Sequence, residues 1–168
     1  MEAVPLWSAR PLSVLLGRER QVLERIGWQL RVALVLLESD RLAWAGPAFR
    51  EADLLVDRLD MLELSRAVEL AGAGPALGLG SEPTLDELVA RWPAPGRPVL
   101  RRHALHLRRL VAAATERAQA VLDALDDEPT DEPPLEALVR RGGLIVAGRV
   151  PPPSVTEFVG VPSARGER

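Results

Sequence analysis

The 168-residue chain contains no Cys, Lys, Asn or Tyr. Without Cys, disulfides and thiolate chemistry are excluded. Aromatic residues make up only 4%, and the formal net charge is −3. A nucleic-acid binder would normally carry a basic excess and a basic face, so no nucleic-acid partner is expected. No apolar run is long enough to span a bilayer, so membrane insertion is not expected either. The opening Met1-Glu2-Ala3-Val4-Pro5 lacks the basic-then-apolar pattern of a secretory signal. A soluble cytoplasmic protein is the expectation. Every basic residue is Arg apart from two His, which reads as genomic base composition rather than a functional demand.

What is present is helical period. In residues 12–37 the apolar side chains fall at Leu12, Leu16, Leu23, Ile26, Leu30, Ala33 and Leu37. Steps of four and three form a heptad seam along a helix packed lengthwise on a neighbour. Glu19 interrupts that seam, and Pro11 stands just before it, where a missing N–H does no harm. A charge on a seam can fix register or select a partner. Arg101 or Arg102 could meet Glu19, and bending out to water is the simpler outcome.

Ser39-Asp40 and Gly46-Pro47 punctuate the next stretch, so a short turn through Leu42 and Trp44 is expected to close one end of the bundle. A second helix is expected over residues 47–71. Its inner face would be Phe49, Ala52, Leu55, Val56, Leu59 and Leu62, continued by Ala67, Val68 and Leu70. Two long helices with a short connection pack as an antiparallel hairpin. Thr84 to Glu87 fits a capping box and starts a short helix ending near Trp92. Pro93, Pro95, Gly96 and Pro98 form a stiff connector.

A third long helix is expected over residues 98–125, with a seam of Leu100, His103, Leu107, Leu110, Ala114, Val121 and Leu125. Arg117 takes one seam position. The second helix has an excess of acids and the third an excess of Arg, which favours these two as direct neighbours. Residues 126–134 are acidic and Pro-rich and read as a solvated linker. Two turns of helix are expected at residues 135–141, followed by Gly142-Gly143, the apolar run Leu144-Ile145-Val146, Pro151-Pro152-Pro153 and disorder. The organisation is thus an arm over residues 1–10, a helical domain over 11–125, and a largely disordered acidic and Pro-rich tail over 126–168. The fold class is all-α: an elongated antiparallel hairpin plus a third long helix, a coiled-coil-like bundle.

Chemistry is sparse. His103 and His106 lie three apart on one helix, near the spacing that puts two ligands on one face. No acid or Cys flanks them at a matching interval, so the expectation is a seam histidine beside a solvated one, with no metal. No phosphate-binding loop ends in Lys-Ser/Thr, and no Ser sits in a nucleophile elbow. Neither catalysis nor a cofactor is expected. The surplus apolar residues are the informative ones. Leu105, Val111 and Leu122 widen the stripe of the third helix, and Leu34, Val35 and Leu36 that of the first. They would line a groove able to take an amphipathic helix from another protein, or else close on each other or on a second copy.

Several runs resemble the actinobacterial branch of the FlgN-type flagellar export chaperones. They are Leu12-Ser13-Val14-Leu15-Leu16-Gly17-Arg18-Glu19-Arg20-Gln21-Val22-Leu23-Glu24, then Ala48-Phe49-Arg50-Glu51-Ala52, then Glu63-Leu64-Ser65-Arg66-Ala67-Val68-Glu69. Leu85-Asp86-Glu87-Leu88, Trp92-Pro93 and Arg102-His103 follow in the same order. The resemblance covers residues 12–125. It implies a small cytoplasmic chaperone that binds C-terminal helical segments of hook–filament junction proteins of the FlgK/FlgL type. Such a chaperone prevents their premature association and delivers them to the flagellar export apparatus. The resemblance also implies client binding by the later part of the third helix: Leu107, Leu110, Val111, Ala114, Val121, Leu122 and Leu125. The chain departs from the family where residues 126–134 cut that helix short, and the apolar run at 144–146 could then fold back and compete with a client. A monomer or a homodimer is compatible with this pattern. The rival expectation is a structural coiled-coil module that self-associates through the same faces without a client.

Overall fold

Heptad-spaced apolar residues dictate helices, and a computed structural model of the chain, which describes residues 9–125, is built from them. Among the described residues four α-helices follow in order: α1 Arg10–Glu38, α2 Leu42–Ala73, α3 Leu85–Arg91 and α4 Arg97–Leu125. A 3-10 turn, Pro75–Leu77, follows α2. No strand occurs among the described residues, so the all-α architecture holds. The arm up to Ser8 and the tail 126–168, with the short helix and apolar run expected there, lie outside the described residues.

α1 is the middle member. It packs along α2 on one side and α4 on the other, and α2 and α4 have no comparable seam with each other. Acid and base excess on α2 and α4 therefore does not make them partners, contrary to expectation. The ion pairs run elsewhere. Arg25 of α1 meets Glu51 of α2 at 3.0 Å, and Arg108 of α4 meets Asp86 of α3 at 2.8 Å. Exposed pairs of this kind contribute at most about 1 kcal/mol. Their long side chains leave apolar packing to decide which helices meet.

Ser13 near the start of α1 lies beside His103 near the start of α4, and Gly27 farther along lies beside Arg117. These helices therefore run parallel, with α2 antiparallel to both. On α1 the buried row is Leu12, Leu16, Glu19, Leu23, Ile26, Leu30 and Ala33. On α4 it is Leu100, Ala104, Leu107, Val111, Ala114, Ala118, Val121 and Leu125, an unbroken alternation of four and three. The seam thus passes through Ala118 and not Arg117, and through Ala104 and Val111, while His103 and Leu110 are half-buried beside it.

α2 begins at Leu42, five residues before the expected start at Pro47, and Pro47 lies inside it. A proline in the second turn deletes one N–H bond to the carbonyl four residues back. That carbonyl belongs to Ala43, which is exposed and open to water. Ala45, Ala48 and Phe49 are buried at once, and their burial holds the early turns. Ser39 and Asp40 do not cap α2; its N-cap is Arg41, with no side-chain bond. They close α1 instead. The Arg41 N–H donates to Leu36 O and the Asp40 N–H to Leu37 O, both at 2.9 Å. That paired 6→1 and 5→2 pattern is a Schellman motif, with Asp40 in the left-handed conformation at φ 56°. Trp44 is exposed and does not cover the end of the bundle.

The chain returns from α2 through a tight crossing. A side chain at Gly74 would stand 2.7 Å from Gly80 O and 2.9 Å from Pro83 Cγ, so only glycine lets the loop fold over the helix end. α3 opens with the expected capping box. The Glu87 N–H donates to Thr84 Oγ1 at 3.2 Å, and the Thr84 N–H donates to Glu87 Oε2 at 2.8 Å. Leu88, Val89 and Trp92 are buried and seat α3 at the head of α4.

Candidate functional site: one buried charge and two outward rows

The interruption at Glu19 is not a loose end. Its side chain is 1% exposed, and the Arg66 guanidinium of α2 donates to its Oε2. Arg66 stands where the apolar row of α2 would otherwise continue from Leu59 and Leu62 toward Leu70. Neither Arg101, Arg102 nor water takes Glu19; the partner is on α2. Burial pushes the carboxyl up to about 7, Arg66 opposes that rise, and the nearby Glu63 adds to it. Glu19 Oε1 has no hydrogen-bond partner among the described residues. Glu19 is enclosed in the α1–α2 seam, and the Arg66 side chain, 16% exposed, lies at its edge.

The histidines separate. His103 is half-buried and shares a 3.0 Å hydrogen bond between its Nε2 and Ser13 Oγ. Burial lowers its pKa, and the neighbouring Arg20, His106 and Arg102 lower it further. His106 reaches Glu24 of α1 at 3.9 Å, on the surface. Among the described residues no group of three or more His, Cys, Asp or Glu is placed to hold a metal ion. The two histidines tie α4 to α1.

Of the α4 residues expected to receive a client, Leu107, Val111, Ala114, Val121 and Leu125 are buried in the seam with α1. Leu110 and Leu122 are half-buried at its edge. A helix docking on all seven would have to displace α1. Leu34 and Leu36 are half-buried and Val35 and Leu105 exposed, so the surplus apolar residues do not gather into one groove.

The outer face of α2 behaves differently. Leu54, Met61 and Val68 are 64%, 65% and 65% exposed, and Leu64 beside them 47%. They recur at intervals of seven and form one row about 21 Å long, at 1.5 Å per residue. Val68 and Ala67, expected on the inner face, are both exposed. Asp57 interrupts the row between Leu54 and Met61, and Asp53, Arg50 and Arg58 are exposed around it. α1 carries a sparser outward row of Val14, Trp28 and Val35, with Gln21 in the gap. Sequence reading missed the α2 row because Leu54 and Leu55 are adjacent, and a helix so rich in Leu fits more than one inner face. The signal available was the strict interval of seven between Leu54, Met61 and Val68.

No helix among the described residues is long and apolar enough to cross a membrane. Compared with protein-family models, with curated proteins and with solved structures, the chain gives no match in any of the three.

Proposed function

We propose that this chain is a helix-docking chaperone of the FlgN-like kind it resembles, with the outer face of α2 as its client surface. The client is the C-terminal helical segment of a hook–filament junction protein, handed on to the flagellar export apparatus in the cytoplasm. One observation carries the choice of surface: the uncovered row Leu54, Met61, Leu64 and Val68. Single exposed apolar residues are ordinary on any protein. A row at heptad intervals along 21 Å is what an amphipathic helix needs for an apolar seat, again at about 1.5 Å per residue. Docking there leaves the α1–α4 seam intact, unlike docking on the later α4 residues.

Charges of both signs border the row, Asp53 and Asp57 against Arg50 and Arg58, all exposed, so their pattern rather than net charge would select a client helix.

The test is calorimetric titration of the full chain with the C-terminal helical segment of the hook–filament junction protein from the same organism. A saturable one-to-one complex is expected, weakened at least tenfold by Met61→Asp in a variant whose circular dichroism is unchanged. Loss of binding with Leu110→Asp but not with Met61→Asp would return the site to α4. Absence of client binding together with a dimer that Met61→Asp dissolves would favour the structural self-association module instead.

A further inference from the structure

We infer that the outer face of α4 around Leu105 is a docking site for an acidic segment of a partner protein, one that sets a large apolar side chain between pairs of carboxylates. Leu105 is exposed. On a helix the surface neighbours of a residue stand three and four positions away on either side. Around Leu105 all four of those positions are Arg: Arg101, Arg102, Arg108 and Arg109, each exposed. Leu107 and Ala114, in the buried row, face α1 from the opposite side of the helix, so the Arg ring points away from that seam. The site is on a different helix from the exposed row of α2 and does not depend on what docks there.

The charge of the ring is largely unanswered within the described residues. From Arg97 to Thr115 α4 carries five Arg and no acid. Arg108 meets Asp86 of α3 at 2.8 Å. The guanidinium groups of Arg101, Arg102 and Arg109 make no hydrogen bond or ion pair with the described residues. Acids on the helices beside them are already engaged, Glu87 with Thr84 and Glu24 with Arg20 and His106. A helix that needs charge only for solvation can pair it internally, as α1 does with Arg20 and Glu24 four residues apart. α4 instead sets Arg97 and Arg101 at that interval, where like charges repel. An incoming carboxylate would do for the three unpaired Arg what Asp86 does for Arg108.

Dimensions choose among anionic partners. From Arg101 to Arg109 the ring spans about 12 Å at 1.5 Å per residue. Glu116 and Asp123 stand eleven and eighteen residues after Leu105, close to three and five whole turns, so they continue its line, and both are exposed. A bilayer or a nucleic acid laid along this face would press its own negative charge onto those two acids. Leu105 is also the one large apolar side chain exposed on that line; Val99, the other on α4, lies about a third of a turn round. That is too little apolar surface for insertion at a membrane interface. A short acidic segment covers the four Arg and stops before Glu116. Its carboxylates take charge-assisted hydrogen bonds from the guanidinium forks. Its apolar residue rests on Leu105 and on the aliphatic stems of the surrounding Arg.

The probe is a helical peptide with one Leu and with Glu three and four residues to either side of it. The control peptide has the same composition, with the Glu residues moved to the face away from that Leu. In titrations of the full chain the probe should bind at least ten times more tightly than the control. Arg102→Gln together with Arg109→Gln should erase that preference. Leu105→Ser should weaken the probe several-fold and leave the salt dependence of binding unchanged. All three positions are exposed, and circular dichroism checks that the variants keep the native fold. Equal affinity for the two peptides, or probe binding indifferent to Leu105→Ser, would overturn the inference, because unspecific charge attraction behaves that way. Failure to bind the probe would overturn it too, and two further measurements would then reassign the face. Phosphatidylglycerol vesicles captured by the native chain and not by the double Arg variant would give it to a membrane. A dimer that the same variant dissolves would give it to a second copy. Met61→Asp should leave probe binding unchanged; loss of the probe there would place it on α2, removing this inference and leaving the client surface standing.

Discussion

Glu19 of α1 and Arg66 of α2, 47 residues apart in sequence, fill matching gaps in two apolar seams and meet there as a hydrogen-bonded ion pair. Each residue alone would be a defect. A buried carboxylate without a partner is expensive, and Arg66 donates to it. A slip of α1 along α2 by one heptad would keep apolar residues on apolar residues but strand Glu19. The pair therefore specifies the register of the hairpin more than it stabilises it.

That pair makes stability depend on pH in a definite direction. The folded state holds the Glu19 carboxyl at about 7, against an ordinary value of 4.5. Below the ordinary value both folded and unfolded chains carry the proton, and nothing is lost. As pH rises toward 7 the unfolded chain releases its proton first, so folding is progressively disfavoured, by about 3 kcal/mol in all. Above 7 the loss is complete and constant. Glu19→Gln removes the titration, so the stability of the native chain relative to this variant should fall between pH 5 and pH 8. Urea unfolding at the two pH values measures it, and parallel pH profiles for both proteins would refute it. Arg66→Met should destabilise more at pH 8 than at pH 5, by up to about 1.4 kcal/mol, because above 7 the native chain ionises Glu19 beside Arg66 whereas the variant must keep it neutral.

Gly27 and Arg117 form a second coupled pair. A Cβ placed on Gly27 would stand 2.7 Å from Arg117 Nη1, so the guanidinium of α4 lies across the bare backbone of α1. Replacing a mid-helix Gly by Ala normally gains about 1 kcal/mol. Here Gly27→Ala must push Arg117 aside, so the full gain should emerge only in the Arg117→Ala background. A double-mutant cycle by chemical denaturation should give a coupling of about 0.5 kcal/mol or more. Additivity would show that the two residues do not touch. At Gly17, where an added Cβ meets nothing within 4 Å, Ala should give the whole increment with no second change.

The same residues show what the sequence made legible. The seam of α1 was readable because its Leu and Ile residues keep strict four-three spacing, and Glu19 stood out against it. The seam of α4 was readable only in part. Ala104 and Ala118 hold two of its positions, and alanine carries too little hydrophobic weight to mark a face, so His103 and Arg117 were placed there instead. The start of α2 was obscured by Pro47, whose local preference is overridden by burial of Ala45, Ala48 and Phe49. Partner choice between helices was misread because net charge along a helix says nothing about which face meets which. The outward row of α2 stayed hidden for the opposite reason: Leu is so frequent there that an inner face could be drawn without noticing a second one.

The capping box of α3 gives a local test with a remote readout. Thr84 and Glu87 satisfy each other's backbone N–H groups at the start of a helix of only seven residues. So short a helix has little stability of its own. Thr84→Ala should cost about 1 kcal/mol, within the usual range for a lost N-cap. Because Trp92 is buried just after α3, loosening it should expose the indole. A red-shifted Trp emission below the global unfolding midpoint is the expected sign. An unchanged spectrum and midpoint would mean that packing of Leu88 and Val89 alone holds α3.

Asp40 is the one non-glycine residue among those described whose φ is positive, at 56°. It sits at the end of α1, where the Schellman motif requires the left-handed conformation. An L side chain there costs about 1–2 kcal/mol, less for Asp than for most, and a negative charge at a helix C-terminus is also unfavourable. Asp40→Asn keeps the conformational tolerance and removes the charge, so it should raise Tm slightly. Asp40→Gly removes the steric term as well, offset in part by the freer unfolded chain, and should raise Tm further, by a few degrees for about 1 kcal/mol. Asp40→Val, β-branched and unable to bond locally, should lower Tm by more than either gain. Thermal melts of the three variants give the order Gly, Asn, Asp, Val. A flat series would mean that the turn between α1 and α2 does not hold residue 40 left-handed, and the Schellman bonds that fix the angle of the hairpin would have to be redrawn.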